Sequence, residues 1–199
     1  MSKQRFKNQI ITRRKVVNNI LKIWNRASDD EKYDWYHNAH YTAKLMSQQV
    51  EGDNPVSKTC GVIAALSPRK RWGINKEIAY DLITTGDCGH MELFKQKAKD
   101  ILNSSGTDEE IGSILRGEKI VSFYKNIKYP DSSDNITIDR HALSISLGKK
   151  ISEEEYRGIT KNQYNFFKDC YVAVAEKVGV PPILMQSATW VNWRKNPKF

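Results

Sequence analysis

Cysteine is scarce in this chain: Cys60, Cys88 and Cys170 lie far apart, and no CxxC pair occurs. That spacing excludes a zinc ribbon and a four-cysteine iron–sulfur cluster, both of which need closely paired thiolates. A sparse, odd count fits reduced thiols in a cytoplasm. Cys60 and Cys170 fall in apolar helical runs and are expected in a core. Long apolar runs are missing too. The opening Met1-Ser2-Lys3-Gln4-Arg5 leads to none, so neither a signal peptide nor a membrane span is expected. Repeats and low-complexity tracts are absent. The one strand-like piece is Ile136 to Ile138, and the segments up to Gln9 and from Lys195 read as loose ends.

Positive charge is what the chain has in excess. Its 32 Lys and Arg against 23 Asp and Glu give a net charge of +9 and a pI near 9.4. Such a surface favours a polyanion, most often nucleic acid, through phosphate neutralisation and counterion release. The 199 residues suffice for one domain, or for a compact pair of lobes.

Helical periodicity dominates. Val16, Ile20, Ile23 and Trp24 share a face, which predicts a helix over 12–26. Ser28-Asp29-Asp30-Glu31 is a helix start, and the following helix carries Trp35, Tyr36, Ala39, Ala43 and Met46 to a stop near Gly52. Further helices are expected over 56–66, 73–85, 91–102, 107–115, 118–127 and 160–178. Another runs from Pro181-Pro182 to about Arg194, since proline suits a first turn. Ser67-Pro68 ends the 56–66 helix. Ser152 to Glu155 caps a short turn. The expected fold class is all-α.

The most informative stretch runs from Leu115-Arg116-Gly117-Glu118-Lys119 to Ile136-Thr137-Ile138-Asp139-Arg140-His141. Asp139 follows β-branched residues and precedes the apolar run Ala142-Leu143-Ser144-Ile145, so it is well placed as an N-cap. Lys119 sits just after a glycine turn. A fixed carboxylate and a lysine in a basic protein point to chemistry on nucleic acid. Arg69-Lys70-Arg71-Trp72 is the best nucleic-acid patch, three cations for phosphates beside an aromatic able to fill the gap left by a flipped base. Arg13-Arg14-Lys15 reads as a solvated helix face. His37 and His40 share a helix face but have no ligating partner near them in sequence, so no metal site is expected. Gln186, Trp190, Trp193 and Arg194 form a stripe expected to be mostly core, from which Gln186 could still line a pocket.

These segments resemble the helix-hairpin-helix DNA glycosylase superfamily. Leu115 to Val121 looks like a shortened form of its L-P-G-V-G-x-K-T-A hairpin, although only Gly117 stands where that hairpin has two glycines. Ile138-Asp139-Arg140-His141-Ala142 looks like its V-D-T-H-V-like catalytic segment. Gly61 to Ser67, then Asn75-Lys76, is similar to its first core helix and DNA-probing loop. A group of small phage proteins is also similar, through Ala65-Leu66-Ser67-Pro68, Trp72, Asn75, Gly117-Glu118-Lys119, Phe123, Asn126 and 136–142. The resemblance implies one glycosylase-like domain over 1–199, two helical lobes around a cleft. Its motif region is 56–148, and helices in 10–52 and 160–194 complete the second lobe.

It implies DNA as partner, no cofactor, and a host-cell cytoplasm as the site of action. A base is flipped from the stack and its bond to C1′ cut. Asp139 supplies the carboxylate for an oxocarbenium-like transition state. Lys119, at the family's lysine position, is a candidate nucleophile. Arg69, Lys70, Arg71, Trp72, Asn75, Arg116, Gly117, Arg140 and His141 are the expected DNA contacts. The same pocket could instead transfer a small group, such as an amino acid, onto a modified pyrimidine. A non-catalytic DNA-binding or inhibitory protein is the third reading.

Overall fold

Capping chemistry sets most element boundaries in the computed structural model, which describes residues 3–32, 35–131, 134–157 and 159–199. A short hairpin, β1 (Lys3–Phe6) and β2 (Gln9–Thr12), is followed by α1 (Arg13–Arg26), α2 (Asp29–Lys32) and α3 (Trp35–Met46). Then come α4 (Pro55–Leu66), α5 (Trp72–Thr85), α6 (Glu92–Leu102), α7 (Asp108–Leu115) and α8 (Glu118–Lys128). The chain ends with α9 (Arg140–Leu147), α10 (Glu153–Arg157), α11 (Lys161–Val178) and α12 (Pro182–Lys195). Thr12, Thr107 and Thr160 each cap a helix through the side-chain oxygen, and Thr160 with Gln163 completes a capping box. The protein is thus mostly helical, with one two-stranded sheet among the described residues. No helix there is long and apolar enough to cross a membrane.

The chain divides into two compact units. A central unit spans Tyr36–Ser133, and a terminal unit combines Met1–Trp35 with Asp134–Phe199. The boundary therefore falls inside the motif region, between Lys119 and Asp139.

In the central unit, α5, α6, α7 and α8 pack around α4. Most of α4 is buried because its faces carry small residues, Cys60, Gly61, Ala64 and Ala65 among them. Burial pushes the Cys60 thiol up to about 12, leaving it inert. A Cβ on Gly61 would lie 2.9 Å from Ile101 Cγ2 and 3.1 Å from Ile111 Cγ2. Gly61→Ala is therefore expected to cost about 1–3 kcal/mol, read as a lower urea midpoint. An unchanged midpoint would refute this close approach of α6 and α7.

Asp108, at the first position of α7, holds that helix to the end of α8. Its Oδ1 accepts from Tyr124 Oη at 2.7 Å and Lys128 Nζ at 2.5 Å, and its Oδ2 accepts from Tyr129 Oη at 2.9 Å. Burial works to raise the Asp108 pKa, but these three donors prevail and hold it below the usual carboxylate range. A depressed folded pKa adds stability above the unfolded value, near 3.8, and loses it as pH falls through the folded one. Wild type is expected to melt higher than Asp108→Asn at pH 6, with the gap closing below about pH 4. Parallel melting curves down to pH 3 would refute the network's contribution.

The terminal unit packs α1 against α9, α11 and α12. Val16, Ile20, Ile23, Phe167, Tyr171 and Trp193 form its centre, with Cys170 also fully buried. Four expectations are corrected here. The segment up to Gln9 is not loose: β1 pairs antiparallel with β2, and Phe6 packs edge-on against Phe167 with centroids 6.3 Å apart. The C-terminal residues are tied down as well, since Arg26 donates to the carbonyls of Asn196 and Lys198 and Phe199 packs on Trp193. Ile136 to Ile138 is not a strand; side chains, not a neighbouring strand, hold its backbone. The helix expected to run on to Gly52 stops at Met46 and passes into a 3₁₀ turn, Ser47–Gln49. Ser132 and Ser133, between α8 and α9, lie outside the described residues.

Candidate active site

Asp139 caps α9. Its Oδ1 accepts from the Ala142 backbone N–H at 2.7 Å, and its own carbonyl accepts from Leu143 N–H at 2.9 Å. Its second oxygen, Oδ2, accepts from Trp190 Nε1 at 3.1 Å, a donor 51 positions away on α12. The carboxylate is thus half-exposed and fixed through both oxygens.

The backbone leading into it is gripped by two tyrosines. Tyr164 Oη donates to the Ile136 carbonyl at 2.8 Å and accepts from Ile138 N–H at 3.2 Å. Tyr156 Oη donates to the Ile138 carbonyl at 2.7 Å. Ile136 and Ile138 are fully buried beneath them. A buried segment outside any sheet must satisfy its polar groups somehow, and these hydroxyls do so.

Aromatic and cationic groups surround the carboxylate. Arg194 lies over the Trp190 ring at 4.8 Å, Trp35 meets that ring edge-on at 5.3 Å, and His141 approaches it at 6.4 Å. Burial lowers the His141 pKa; Asp139 pulls it back up, while Arg140, Arg194 and Lys150 press it down. The imidazole is therefore neutral near pH 7 and can take up a proton. Arg140 faces Glu153 at 3.4 Å. Gln186, the pocket candidate, is buried at 3% exposure on the same helix as Trp190. The terminal unit also carries the charge: 19 Lys and Arg against 11 Asp and Glu, compared with 13 against 12 in the central unit.

In the central unit, α7 and α8 are joined by only two residues, Arg116 and Gly117, both exposed and both at positive φ (53° and 82°). Arg116 is strained there, with ψ at 147°, because its Cβ disfavours that region. Nothing lies within 4 Å of a Cβ placed on Gly117, which as the N-cap of α8 makes no side-chain cap bond. A helix start of this kind can face an anion. Lys119, in that first turn, is half-buried.

The patch before α5 has a different character. Arg69 is exposed with φ at 63°, Arg71 is exposed at the N-cap of α5, and Lys70 Nζ donates to the Gly89 carbonyl at 3.1 Å. Trp72 is half-buried, with Lys76 over its ring at 5.8 Å. Asn75 is buried at 1% exposure, and its Nδ2 donates to the Ile63 carbonyl at 3.1 Å, so it ties α5 to α4. His37 pairs with Asp131 at 2.6 Å and His40 bonds the Ile127 carbonyl at 3.0 Å. Among the described residues no group of three or more His, Cys, Asp or Glu is arranged to hold a metal ion.

Sequence reasoning missed Trp190, Tyr156 and Tyr164 as partners of the Asp139 segment. Trp190 was expected in a core stripe and is half-buried instead. The available signal was chemical: a carboxylate beside apolar residues needs a donor, and indole N–H supplies one without adding charge.

A family described as "Family of unknown function (DUF7178)" matches residues 2–197, almost the whole chain, and the protein belongs to it. No curated protein and no solved structure matches.

Proposed function

We propose that this member of the family binds DNA and cleaves the bond between a modified or damaged base and its sugar, with Asp139 as the working carboxylate. The observation that carries the reading is the fixed Asp139 side chain, held through both oxygens beside a neutral imidazole and an indole. As the C1′–N bond breaks, positive charge grows on the sugar, and a preorganised carboxylate stabilises it best where nothing must reorient. The base departs with the bonding electron pair, water adds to C1′, and the water's proton passes to the His141 imidazole, the general base in this reading, and on to the departing nucleobase. The basic terminal unit supports a polyanionic substrate. The open turn at Arg116-Gly117 supports a phosphate contact of the helix-hairpin-helix kind. In this reading Arg69, Lys70 and Arg71 add phosphate contacts, and Lys119 is the candidate nucleophile of a lyase step.

A second reading rests on the same bonds. Capping and the Trp190 contact account for both oxygens of Asp139, so a DNA-binding protein without catalysis would keep them. Mass spectrometry of released bases separates the two. Duplexes bearing uracil, oxidised, alkylated, hydroxymethylated or hypermodified pyrimidines are incubated with the protein. A free base and a matching abasic strand are expected from one class. Binding with no released base would favour the second reading, and a mass gain on a base would indicate group transfer.

A further inference from the structure

The positive charge of the terminal unit is concentrated in its first elements. Residues 1–28 hold eight Lys and Arg and no Asp or Glu. Among the described residues only one of the eight, Lys7, makes an ion pair, with Glu155 at 4.0 Å. Cation density of this kind is costly for a fold through self-repulsion and needs no such clustering for solubility.

The hairpin turns this charge into a surface. In the β1–β2 register, Lys3 faces Thr12 and Arg5 faces Ile10, whereas Gln4 faces Ile11 and Phe6 faces Gln9. Phe6 and Ile11 are buried at 5% each, so the opposite face, with Lys3, Arg5 and Ile10, points outward. Lys3 and Arg5 stand about 7 Å apart along the strand. Lys7 occupies the exposed turn, and Arg14 and Lys15 continue the exposed cations into α1.

The hairpin is also anchored to the helix that holds the candidate site. Gln163 Nε2 donates to the Arg5 carbonyl at 2.7 Å, and the next residue, Tyr164, bonds Ile136 and Ile138 just before Asp139. A load on the hairpin therefore bears on the first turns of α11, where the Asp139 segment is fixed.

We propose that the outward face of this hairpin, with Lys7, Arg14 and Lys15, docks on the phosphates of duplex DNA. A two-stranded ribbon fits a major groove. The outward face carries no aromatic ring on which unpaired bases could stack, which favours a duplex over a single strand. This inference extends the DNA-acting reading of the terminal unit and names a contact surface for it.

The test is duplex binding across a salt series by fluorescence anisotropy. The variants are Lys3→Gln/Arg5→Gln/Lys7→Asn and, separately, Arg14→Gln/Lys15→Gln. Asparagine is chosen at position 7 because it tolerates the left-handed φ of 51° there. The triple variant is expected to lose on the order of 100-fold in affinity at 0.1 M salt and to flatten the log–log salt slope by about 3. The double variant should flatten it by about 2. Unchanged slopes in both variants, with wild type still binding, would overturn the surface and leave the proposed chemistry standing. Failure of wild type to bind duplex, or a preference for phosphatidylserine vesicles, would also overturn it. Flattened slopes with no base ever released would support the surface and defeat the catalytic reading.

Discussion

Asparagine at position 139 is expected to reduce base release by about 10²–10³-fold in single-turnover measurements while leaving the protein folded. The argument is local. Asparagine caps a helix as well as aspartate does, so its Oδ1 keeps the Ala142 N–H bond. Its amide then presents donors to Trp190 Nε1, where the carboxylate presents an acceptor. One hydrogen bond is lost, at about 1 kcal/mol, together with the full negative charge that would face the developing cation. Duplex affinity should hold or rise slightly, since a negative charge has gone from a strongly basic unit. A mutant that releases base at the wild-type rate would reduce Asp139 to a helix cap and favour the non-catalytic reading.

Tyr164→Phe is expected to be the most damaging single-atom change in the terminal unit. The hydroxyl both donates to the Ile136 carbonyl and receives the Ile138 N–H, and the residue is 5% exposed. Its loss strands a buried donor and a buried acceptor. Each orphan costs about 1–3 kcal/mol, so a total of about 2–6 kcal/mol is expected in chemical denaturation. Activity should fall beyond what stability explains, because the freed segment is the one that leads into Asp139. The discriminating readout is amide hydrogen exchange at Ile138 under native conditions. Exchange should speed sharply in the variant, while α4 in the central unit keeps its protection. Wild-type exchange at Ile138 would show that Tyr156 and the flanking packing suffice.

Most helices were legible because their signals are local. Thr107, Thr160 and Asp139 announce helix starts through side chains that reach only three residues ahead. The period of Val16, Ile20 and Ile23 likewise needs no distant partner. The hairpin was hidden because only Phe6 and Ile11 on its inner face are buried, and Phe6 finds its partner in Phe167 on α11. Ile136 to Ile138 looked like a strand for the opposite reason: its β-branched residues are buried, but what satisfies their backbone is a pair of hydroxyls far along the chain. At the candidate site, Asp139 could be picked out as a cap, whereas its indole partner on α12 could not. An indole three positions before Trp193 on a helix reads as packing, and only the fold reveals which N–H has turned toward a carboxylate. The two units differ in charge, but that difference marks no boundary in the sequence, because the terminal unit is built from two segments that flank the central one.

That division fixes an order of events when the protein is made. All of the central unit lies between the two segments that build the terminal one. As the chain is synthesised, residues 36–133 can close on themselves while the hairpin and α1 wait for partners that do not yet exist. Asn19 meets the Ser146 carbonyl across 127 positions, and Glu31 receives Asn192 Nδ2 across 161. Contacts of such long sequence separation form late and slowly. The carboxylate of Asp139 acquires its indole neighbour only once α12 has emerged, within the last turns of the chain. A half-made protein therefore carries its most basic stretch but not its finished candidate site, so under the proposed DNA-acting reading a nascent chain would bind duplex before it could release a base.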